Sequence, residues 1–475
     1  MVFPELHFKP RLHVLSGDQI EQIHQATLEL LERTGVQVSH PRALELLAGG
    51  GARVAGDRVR IPAWLVEKAI RTAPSRVVFG RRDGTRSVLL EGDKTWFGPT
   101  VDCVDYLDPF TAERRQFTRD DGRVTATIAD ALPNYTWVMT IGMAADVPPE
   151  IADRVIARQV LTYCEKPMVF CCNDLYSVRD VYEMAVLIAG DEARFQQAPT
   201  VFPLTDPVSP LLHYNPTVDK MLFCAEKGIP LICLAAPQAG STSPATFAGT
   251  LVQGSAESLS GLVLAQLVRP GAPFVYGAFT TVMDMSTTIF SYGAPEMSLM
   301  VAAMAQMAHY YHLPFMGTGG CSDAKFPDPQ AAAEAAFSCL SSALSGANLI
   351  HEPGQLDHGS LASPAYIVLV HELLDMVNQY MRGLPMNDET LALGVMDKVG
   401  PGGHFLQEEH TFEHFREVWY SQLFDRTIYH QWLEQGARQF EERLQAQTRR
   451  VLEHRPTPLP PEIIKELDRM EKHWQ

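Results

Sequence analysis

Residues 230–278, PLICLAAPQAGSTSPATFAGTLVQGSAESLSGLVLAQLVRPGAPFVYGA, carry the pattern that decides the fold of this chain. Two short apolar runs, Pro230–Ala235 and Pro273–Ala278, have the length of β-strands, and a segment with helical periodicity, Pro244–Leu267, lies between them. Continuously apolar strands joined by a helix are typical of parallel strands that are buried on both faces. This stretch therefore predicts one β–α–β unit.

The same alternation recurs over most of the chain. Further runs of strand length are Thr95–Val101, Trp137–Met143, Pro167–Cys172, Thr200–Leu204, Pro314–Thr318 and Ala347–His351. Further helical segments are Ile151–Cys164, Val178–Ala189, Thr217–Lys227, Pro295–Tyr311, Pro329–Leu344 and Ala365–Met381. Eight strands, each followed by a helix, predict an α/β fold of the (β/α)₈ TIM-barrel type.

Helical patterns flank the barrel pattern on both sides. An amphipathic helix is predicted over residues 16–34 with Ser16 as its N-cap, and shorter helices are predicted after Ser39 and from Pro62. Between these shorter helices, GGGARVAGDRVRIP predicts a turn and a strand. After Leu384, VGPGGHF precedes a stretch rich in Trp, His and Phe, and a charged helix follows PTPLPPEII. We therefore divide the chain into a helical N-terminal layer (1–92), the barrel (93–383) and a helical C-terminal extension (384–475). The extension is expected to cover part of the barrel mouth.

The composition excludes several classes of function. Of 475 residues, 46% are hydrophobic and 20% are charged, as in an ordinary folded protein. The formal net charge of −17 opposes binding to nucleic acid, because that affinity comes largely from cations that neutralise phosphates. No apolar run approaches the length of a membrane span, and the first residues lack the pattern of a secretion signal. We expect a cytoplasmic protein with neither nucleic acid nor membrane as a partner.

The cysteines and histidines form no familiar metal-binding pattern. Eight cysteines are sparse in a chain of this length and lie mostly in apolar runs, as reduced core thiols do. No CxxC, HExxH or HxH spacing occurs. His410 and His414 share one helix face, but no third ligand lies nearby in the sequence, so we interpret them as packing residues. We predict no metal site.

In a barrel of this kind the active site lies where the strands end on their carboxyl side. That rule selects the polar residues that follow the predicted strands, and we expect a subset of them to line one pocket. They are Asp102, Asn173, Thr205, Asp206, Gln238, Thr280, Asp284, Cys321, Ser322, Asp323, His351 and Glu352.

The motif GTGGCSDAKFPD, residues 317–328, follows the seventh strand and resembles the Gly-rich loops that hold phosphate before a helix. It lacks the GxGxxG spacing and the P-loop lysine, and Lys325 is its only cation. Two interpretations stay open. The glycines either satisfy the backbone of a strand-to-helix turn, or Gly320 contacts a ligand in an enzyme that acts on a phosphorylated small molecule.

The motif ANLIHEPGQLDHG places His351 and Glu352 at the end of the eighth strand. We predict that His351 lines the pocket, because strand ends in this fold present side chains to a ligand. The carboxylate of Glu352 either faces a cationic ligand or forms a salt bridge at the rim.

A long loop after the sixth strand, TVMDMSTTIFSYGAPE, residues 281–296, carries Asp284 and Tyr292. Long loops in compact domains are often functional. This one is either a rim loop packed by its own aromatics or an aromatic and acidic wall suited to a quaternary ammonium group. The aromatic residues that would complete such a cage, each equally a candidate for the barrel core, are Trp96, Phe97, Tyr276 and Phe279.

Several motifs taken together resemble the trimethylamine methyltransferase family. They are LTDPVSPL, RPGAPFVYGAF with the following MDM and FSYGAPE, GTGGCSDAKFPD, ANLIHEPGQLDHG and VGPGGHF, and they occur in order over nearly the whole chain. The archaeal founders of that family carry pyrrolysine, whereas this sequence has only ordinary residues. It is thus similar to the branch without pyrrolysine, whose members demethylate quaternary amines such as glycine betaine, proline betaine, carnitine and γ-butyrobetaine.

The resemblance implies a methyltransferase that moves a methyl group from a small quaternary amine to the Co(I) of a corrinoid protein. It implies no tightly bound cofactor, because the corrinoid belongs to a separate carrier that docks over the barrel mouth. A quaternary nitrogen leaves as a neutral tertiary amine, so no general acid is needed. The site should position the methyl group and tolerate a cation whose charge disappears, with aromatics at the ammonium and polar or cationic groups further away.

We assign catalytic roles to His351 and Asp284 on this basis. Residues expected to bind the substrate are Trp96, Phe97, Gln238, Tyr276, Phe279, Tyr292, Gly320 and Glu352. One alternative is the barrel enzyme for a phosphorylated substrate. Another is a non-catalytic subunit that presents the carrier to a different enzyme. Barrels of this kind commonly self-associate, so we expect a homo-oligomer.

Overall fold

A computed structural model of the chain describes residues 8–99 and 102–474. Eight parallel strands form one sheet, numbered β1 to β8 in chain order. They are Trp96–Phe97, Val138–Met139, Met168–Phe170, Val201–Thr205, Leu231–Ala235, Phe274–Ala278, Phe315–Thr318 and Leu349–His351. β8 pairs with β1, and a parallel bridge between Phe97 and Tyr135 closes the sheet between β1 and β2. The predicted (β/α)₈ barrel is confirmed.

A helix follows every barrel strand, and we number these helices α1 to α8. They are Arg119–Ala131, Ala152–Tyr163, Leu175–Ala189, Asn215–Lys227, Phe247–Val268, Pro295–Tyr310, Pro329–Leu344 and Pro364–Met381. The sequence patterns located α2 to α8 to within a few residues. Seven of the eight predicted strand runs contain the whole observed strand, and β4 extends one residue past its run, to Thr205. Thr100 and Val101, at the end of the first run, lie outside the described residues.

The N-terminal layer contains both helices and strands. Its helices are Gly17–Arg33, Pro41–Gly49 and Ala63–Thr72, and Ser16 caps the first of them in a capping box with Gln19. The segment GGGARVAGDRVRIP forms an antiparallel hairpin of Arg53–Ala55 with Arg58–Arg60, which Val36–Val38 and Leu212–His213 extend to four strands. A second hairpin pairs Val77–Gly80 with Arg86–Leu90. The sequence analysis predicted these helices and a single strand in this segment, but neither the partner strand of the first hairpin nor the second hairpin.

Helix α5 shows what the N-terminal layer does for the barrel. Buried residues lie all around this helix rather than on one stripe. The barrel strands cover one side of it and the N-terminal helices Gly17–Arg33 and Ala63–Thr72 cover the other. A helix that is apolar all round must be covered on every side, so the N-terminal layer completes the core.

Short strands in the loops shape the carboxyl end of the barrel. One sheet joins Asp105–Leu107 and Arg114–Gln116 to Gln355–Leu356 and Leu361–Ala362. Another joins Gln238–Ala239 to the hairpin Thr281–Asp284 and Ile289–Ser291. A 3₁₀ turn, Pro149–Ile151, and a short α-helix, Glu192–Gln197, lie in other connections. These loops surround the mouth without closing it.

The C-terminal extension lies along the flank of the barrel. Its helices are Asp388–Leu391, Leu393–Val399, Glu409–His414, Tyr429–Glu434, Phe440–Leu452 and Pro461–Trp474, with a 3₁₀ turn at Phe415–Glu417. Phe440–Leu452 packs on α8 and α1, and Glu471 accepts hydrogen bonds from Arg119 and Arg158 of α1 and α2. All eight cysteines carry free thiols. Among the described residues, no helix combines the length and apolarity needed to cross a bilayer.

Candidate active site

A cavity of about 410 Å³ opens at the carboxyl ends of the barrel strands. Its volume suits a small molecule. Its lining comes from the carboxyl ends of the strands, from the loops that follow them, and from helices α2 and α4. The lining residues are Asp102, Thr140, Gly142, Met143, Ala152, Asp153, Ile156, Cys171, Cys172, Asn173, Leu204, Asp206, Tyr214, Lys220, Leu234, Ala236, Phe279, Tyr292, His351 and Glu352.

One arc of the cavity wall, supplied by β6 to β8 and the loop after β6, is aromatic. The ring centroids of Phe279 and Tyr292 lie 5.1 Å apart, and those of Phe279 and His351 lie 6.2 Å apart. Phe290 packs edge-on against Tyr292 from behind, with the centroids 5.0 Å apart. The long loop after β6 is thus packed by its own aromatics and also contributes one ring to the cavity.

His351 is almost fully buried, and neither ring nitrogen has a hydrogen-bond partner among the described residues. Its Nδ1 lies 3.5 Å from Oε1 of Glu352. Burial lowers the pKa of His351 to about 3, because the imidazolium would lose its hydration there. The ring is therefore neutral at physiological pH and has unused hydrogen-bonding capacity at the cavity wall.

Glu352 is equally buried and has a left-handed backbone with φ at 82°. Such a backbone is uncommon for a residue other than glycine and often marks a functional site. Burial raises the pKa of Glu352 to about 8, although hydrogen bonds from Thr318, Cys321 and Tyr292 oppose the shift. This carboxyl group is mostly protonated at neutral pH, so the aromatic arc carries little charge.

The opposite arc, supplied by β1 to β4, is charged. Burial raises the pKa of Asp102 to about 6 and also raises that of Asp206. Lys220 of α4 is buried and donates a hydrogen bond to the carbonyl oxygen of Cys172 at 2.8 Å. Burial alone would lower the pKa of Lys220, yet nearby Cys172, Tyr214 and Asp206 leave it raised. The arc therefore combines carboxylates with a buried ammonium group.

The structure brings only part of the sequence-predicted set into this cavity. Of the residues assigned to substrate or catalysis, the cavity wall contains Phe279, Tyr292, His351 and Glu352, and of the other strand-end candidates it contains Asp102, Asn173 and Asp206. The remaining assigned residues do not line it. These are Asp284, Trp96, Phe97, Gln238, Tyr276 and Gly320.

Asp284 and Gln238 lie in the turns of the rim. Asp284 is exposed, and its carboxylate accepts hydrogen bonds from Ser286 and Thr287 within its own hairpin. Gln238 is partly exposed, and its side chain accepts a hydrogen bond from Ser241. The carboxylate of Asp284 and the amide oxygen of Gln238 thus accept hydrogen bonds within their own turns, and neither side chain lines this cavity.

The other four residues point away from the cavity because of strand geometry or local packing. The hydroxyl of Tyr276 is 2.7 Å from that of Ser255 on α5, outside the sheet. The indole of Trp96 donates to the carbonyl of Leu89 in the N-terminal hairpin. Phe97 lines a separate groove, together with Lys9, Asp93, Thr95, Ala343, Asn378, Met381 and Arg382. The amide of Gly320 donates to Ser338 of α7.

The loop after β7, which contains the Gly-rich motif, is held by several internal hydrogen bonds. Its acidic residue Asp323 accepts hydrogen bonds from Ser291 and from the amides of Tyr292 and Gly293. The ammonium group of Lys325 donates to the carbonyl of Asp323. Because Asp323 binds the loop after β6 and the single cation is already engaged, the motif works as a turn that fixes Tyr292. Nothing in these contacts favours a phosphate site.

Sequence reasoning missed several residues of the charged arc. Lys220 and Asp153 lie on helices, which a rule based on strand ends does not reach. Lys220 lies next to Val218 and Met221 on the buried, apolar face of α4. Because a lysine is rarely buried without a partner, its place in this apolar pattern could have identified it as a candidate site residue. Thr140, Tyr214 and the paired Cys171 and Cys172 carried no comparable signal.

The described part of the extension, residues 384–474, contributes nothing to the cavity wall, since none of these residues lines it. The expectation that the extension covers part of the mouth stays a prediction. One group of possible metal ligands occurs among the described residues, Glu389, Glu413 and His414, on the surface of the extension. His410, which shares its helix face with His414, stacks on it with the ring centroids 4.4 Å apart.

A (β/α)₈ barrel whose mouth holds a small-molecule cavity with one aromatic arc and one charged arc defines a class of barrel enzymes for small polar organic substrates. Comparison with known proteins identifies the family. Residues 3–473 match the model of the trimethylamine methyltransferase (MTTB) family. The chain belongs to the trimethylamine methyltransferase family.

Individual relatives agree with this assignment. The chain is 35% identical over 451 residues to a trimethylamine methyltransferase of Desulfitobacterium hafniense, covering 94% of this chain and 91% of the relative. It is 30% identical over 462 residues to a glycine betaine methyltransferase of the same species, covering 96% and 95%. A trimethylamine methyltransferase of Methanosarcina barkeri is 32% identical over 471 residues, covering 96% and 94%.

A solved structure supports the fold. The crystal structure of the Methanosarcina barkeri monomethylamine methyltransferase superposes with a TM-score of 0.52 and 10% sequence identity, covering 97% of this chain and 88% of that one. At that identity the likeness concerns the barrel architecture alone.

Proposed function

We propose that this chain transfers a methyl group from a betaine-type quaternary amine to the Co(I) of a separate corrinoid protein. The observation that carries the proposal is the division of the cavity wall into an uncharged aromatic arc and a charged arc with a buried lysine. A molecule with an ammonium group at one end and a carboxylate at the other matches this division. Relatives named as trimethylamine and glycine betaine methyltransferases support the substrate class.

The aromatic arc suits the ammonium end of such a substrate. Aromatic faces attract quaternary ammonium groups through the ring quadrupole. His351 is neutral and Glu352 is mostly protonated at neutral pH, so no full negative charge from these two residues holds the cation in its ground state. Because the positive charge on nitrogen disappears as the methyl group leaves, strong stabilisation of that charge would raise the barrier.

The charged arc suits the other end of the substrate. The ammonium group of Lys220 uses one donor on the carbonyl of Cys172, which leaves further donors for a substrate carboxylate. Asp206 lies close enough to influence the pKa of Lys220 and would compete for it. We infer that a substrate with a compact carboxylate displaces this internal pairing, whereas trimethylamine has no group that does so.

The volume of the cavity also indicates where the corrinoid that accepts the methyl group is held. A space of about 410 Å³ accommodates a small amine but not a whole corrinoid, so the corrinoid stays on its carrier and meets the substrate at the mouth. The Co(I) centre supplies the nucleophile: the bond from methyl carbon to cobalt forms while the carbon–nitrogen bond breaks, and its electron pair remains on the amine. The residues of this chain position the methyl group and exclude water. None of them needs to donate a proton.

The experiment that tests this assignment measures steady-state methylation of a corrinoid carrier with His351→Ala and Asp284→Ala. His351→Ala should lower kcat/KM by about tenfold or more, because the variant loses a ring from the aromatic arc and opens a cavity. Asp284→Ala is the matched control and should leave both constants unchanged, since Asp284 is exposed in its own turn. Unchanged constants for His351→Ala would overturn the assignment.

A further inference from the structure

Three possible metal ligands from two separate helices meet on the surface of the C-terminal extension. Glu389 lies on the helix Asp388–Leu391, and Glu413 and His414 lie at the end of the helix Glu409–His414. A carboxylate oxygen of each glutamate and a ring nitrogen of His414 lie within 4.8 Å of one another. The spacing in the sequence predicted no metal site, because the fold alone brings Glu389 to the other two residues.

The two carboxylates of this cluster are poorly compensated by positive charge. The carboxylate of Glu413 has no hydrogen-bond or ion-pair partner among the described residues. That of Glu389 has one ion-pair partner in the described chain, His414, with 3.5 Å between Oε1 and Nε2. Carboxylates that converge in this way repel each other unless a cation lies between them. A divalent cation would remove this repulsion.

The contacts of His414 orient its ring in the manner of a metal-binding histidine. Its Nδ1 lies 2.7 Å from Oε1 of Glu417 and donates to it, so the lone pair is on Nε2. Nε2 is shielded from solvent and has no hydrogen-bond partner among residues 8–99 and 102–474. A histidine that binds a metal usually donates its other ring N–H to a carboxylate in this way. Two ligands of a tetrahedral zinc ion lie about 3.4 Å apart, which agrees with the distance from Nε2 to Glu389.

A second imidazole lies beside the cluster. His410 precedes His414 by one helical turn, and the two ring centroids lie 4.4 Å apart. Its Nε2 is also shielded from solvent without a hydrogen-bond partner in the described part of the chain. Calcium and magnesium prefer oxygen ligands alone, whereas zinc binds imidazole nitrogen and carboxylate oxygen together. The mixture of nitrogen and oxygen donors therefore favours zinc.

The segment that carries these ligands has no core of its own. No side chain of residues 384–418 is buried. Its α-helices contain four, seven and six residues, and helices of that length are not stable alone. Small structures that cannot bury an apolar core often use a structural metal instead. Because the ligands come from the first and the third of these helices, one ion would join both ends of the segment.

We propose that Glu389, Glu413 and His414 bind one Zn²⁺ ion that holds residues 384–418 in their fold. A water molecule or the ring of His410 completes the coordination. None of the ligands lines the cavity at the barrel mouth, so the ion has a structural role and takes no part in methyl transfer. The site therefore does not depend on the function proposed for the cavity.

The test is calorimetric titration of the full chain with Zn²⁺ after treatment with a chelator. Mildly alkaline pH is required, because the imidazole must lose its proton to bind a metal. We expect one ion per chain with a Kd on the order of 1 µM or below. His414→Gln and Glu389→Gln should each raise the Kd at least about tenfold, since each removes a ligand.

His430→Gln is the matched control. His430 is an exposed histidine of the same extension, and its Nε2 lies 3.4 Å from Oε1 of Glu434, outside the cluster. Its replacement should leave the Kd for Zn²⁺ unchanged. The absence of a site with this affinity, or an equal Kd for wild type, His414→Gln and Glu389→Gln, overturns the proposal.

Hydrogen exchange in wild-type protein decides the question if the variants fail to fold. The amides of residues 388–391 and 409–414 should exchange about tenfold more slowly with Zn²⁺ than without it, because the ion joins the two helices. The amides of the helix Tyr429–Glu434 are the internal control and should not change. Exchange of residues 388–414 that is independent of Zn²⁺ would also contradict a structural zinc ion here.

Discussion

Glu352 determines how the free energy of unfolding should depend on pH. Its pKa is raised from 4.5 to about 8 in the folded chain, so the folded state binds its proton more tightly than the unfolded state does. The stabilisation is complete below pH 4.5 and is lost as the pH rises through about 8. Glu352→Gln removes this titration.

We therefore predict that Glu352→Gln gains stability relative to wild type as the pH increases. The difference in unfolding free energy should grow by at least about 1 kcal/mol between the acidic and the alkaline side of this window, since one pKa unit corresponds to about 1.4 kcal/mol. Urea unfolding at several pH values measures it. Parallel pH profiles for the two proteins would show that Glu352 titrates normally.

Because the carboxyl group of Glu352 lies in the cavity wall, its ionisation should also change the affinity for the substrate. Above pH 8 the ionised carboxylate of Glu352 should attract a quaternary ammonium group, so the Kd should fall as the pH rises. Glu352→Gln should have no such pH dependence. Calorimetric titration of the chain alone with a betaine measures the Kd without any carrier. A wild-type Kd that is independent of pH would place the ammonium group away from Glu352.

Phe279 should contribute to substrate binding through the cation–π attraction of its aromatic ring rather than through the volume of its side chain. Phe279→Leu keeps most of the volume but loses the quadrupole, and its Kd for a betaine should increase about tenfold, as expected for about 1.4 kcal/mol of cation–π attraction. Tyr276→Phe is the control, because the Tyr276 hydroxyl meets Ser255 outside the sheet. Equal Kd values for wild type and Phe279→Leu would exclude an aromatic ammonium site here.

Sequence reasoning located part of the site because strand ends determine where the cavity forms. His351 ends β8, and Glu352 and Phe279 directly follow β8 and β6, so their positions come from the barrel itself. Asp284 also follows a strand at a short distance, but the hairpin turns its side chain outward. The path of a loop depends on contacts between distant residues, which no local pattern contains.

At the level of elements, Glu257 on α5 fixes the loop between β4 and α4. Its buried carboxyl group accepts hydrogen bonds from the amide of Leu211 at 2.9 Å and from Ser209 at 2.7 Å. That loop carries Asp206 and Tyr214 to the cavity. The helix therefore positions part of the charged arc.

Glu257→Ala should lower the free energy of unfolding by about 2–3 kcal/mol, because buried polar groups lose their partners and a cavity remains. Glu257→Gln retains the shape and an acceptor, so its loss should be clearly smaller. Urea denaturation compares the two variants with wild type. A loss below about 0.5 kcal/mol for Glu257→Ala, the range of ordinary surface substitutions, would contradict this role.

The elements themselves were largely predictable from the sequence. Buried parallel strands are continuously apolar and their helices have a regular period, which is why the runs from Pro167 onward matched closely. The N-terminal hairpin at Arg53–Ala55 and Arg58–Arg60 was harder, because an exposed two-stranded ribbon rich in charge lacks an apolar pattern. It was described as a turn and a single strand.

At the scale of the whole molecule, the N-terminal layer and the C-terminal extension differ in their packing. The layer covers α5 and completes the core, whereas much of the extension is exposed on the flank. The sequence indicated helices in both places but not their docking. Docking depends on which faces remain exposed once the barrel has formed, and in residues 384–418 no side chain is buried even then.

The central claim is that the cavity at the barrel mouth demethylates a betaine-type quaternary amine for a corrinoid carrier. The most direct measurement follows the visible absorbance of Co(I) on a purified corrinoid protein while this chain is supplied with trimethylamine, glycine betaine, proline betaine, carnitine or γ-butyrobetaine. We predict methylation with at least one of the four quaternary amines and none with trimethylamine. Turnover with trimethylamine alone, or with none of the five on a competent carrier, would contradict the account.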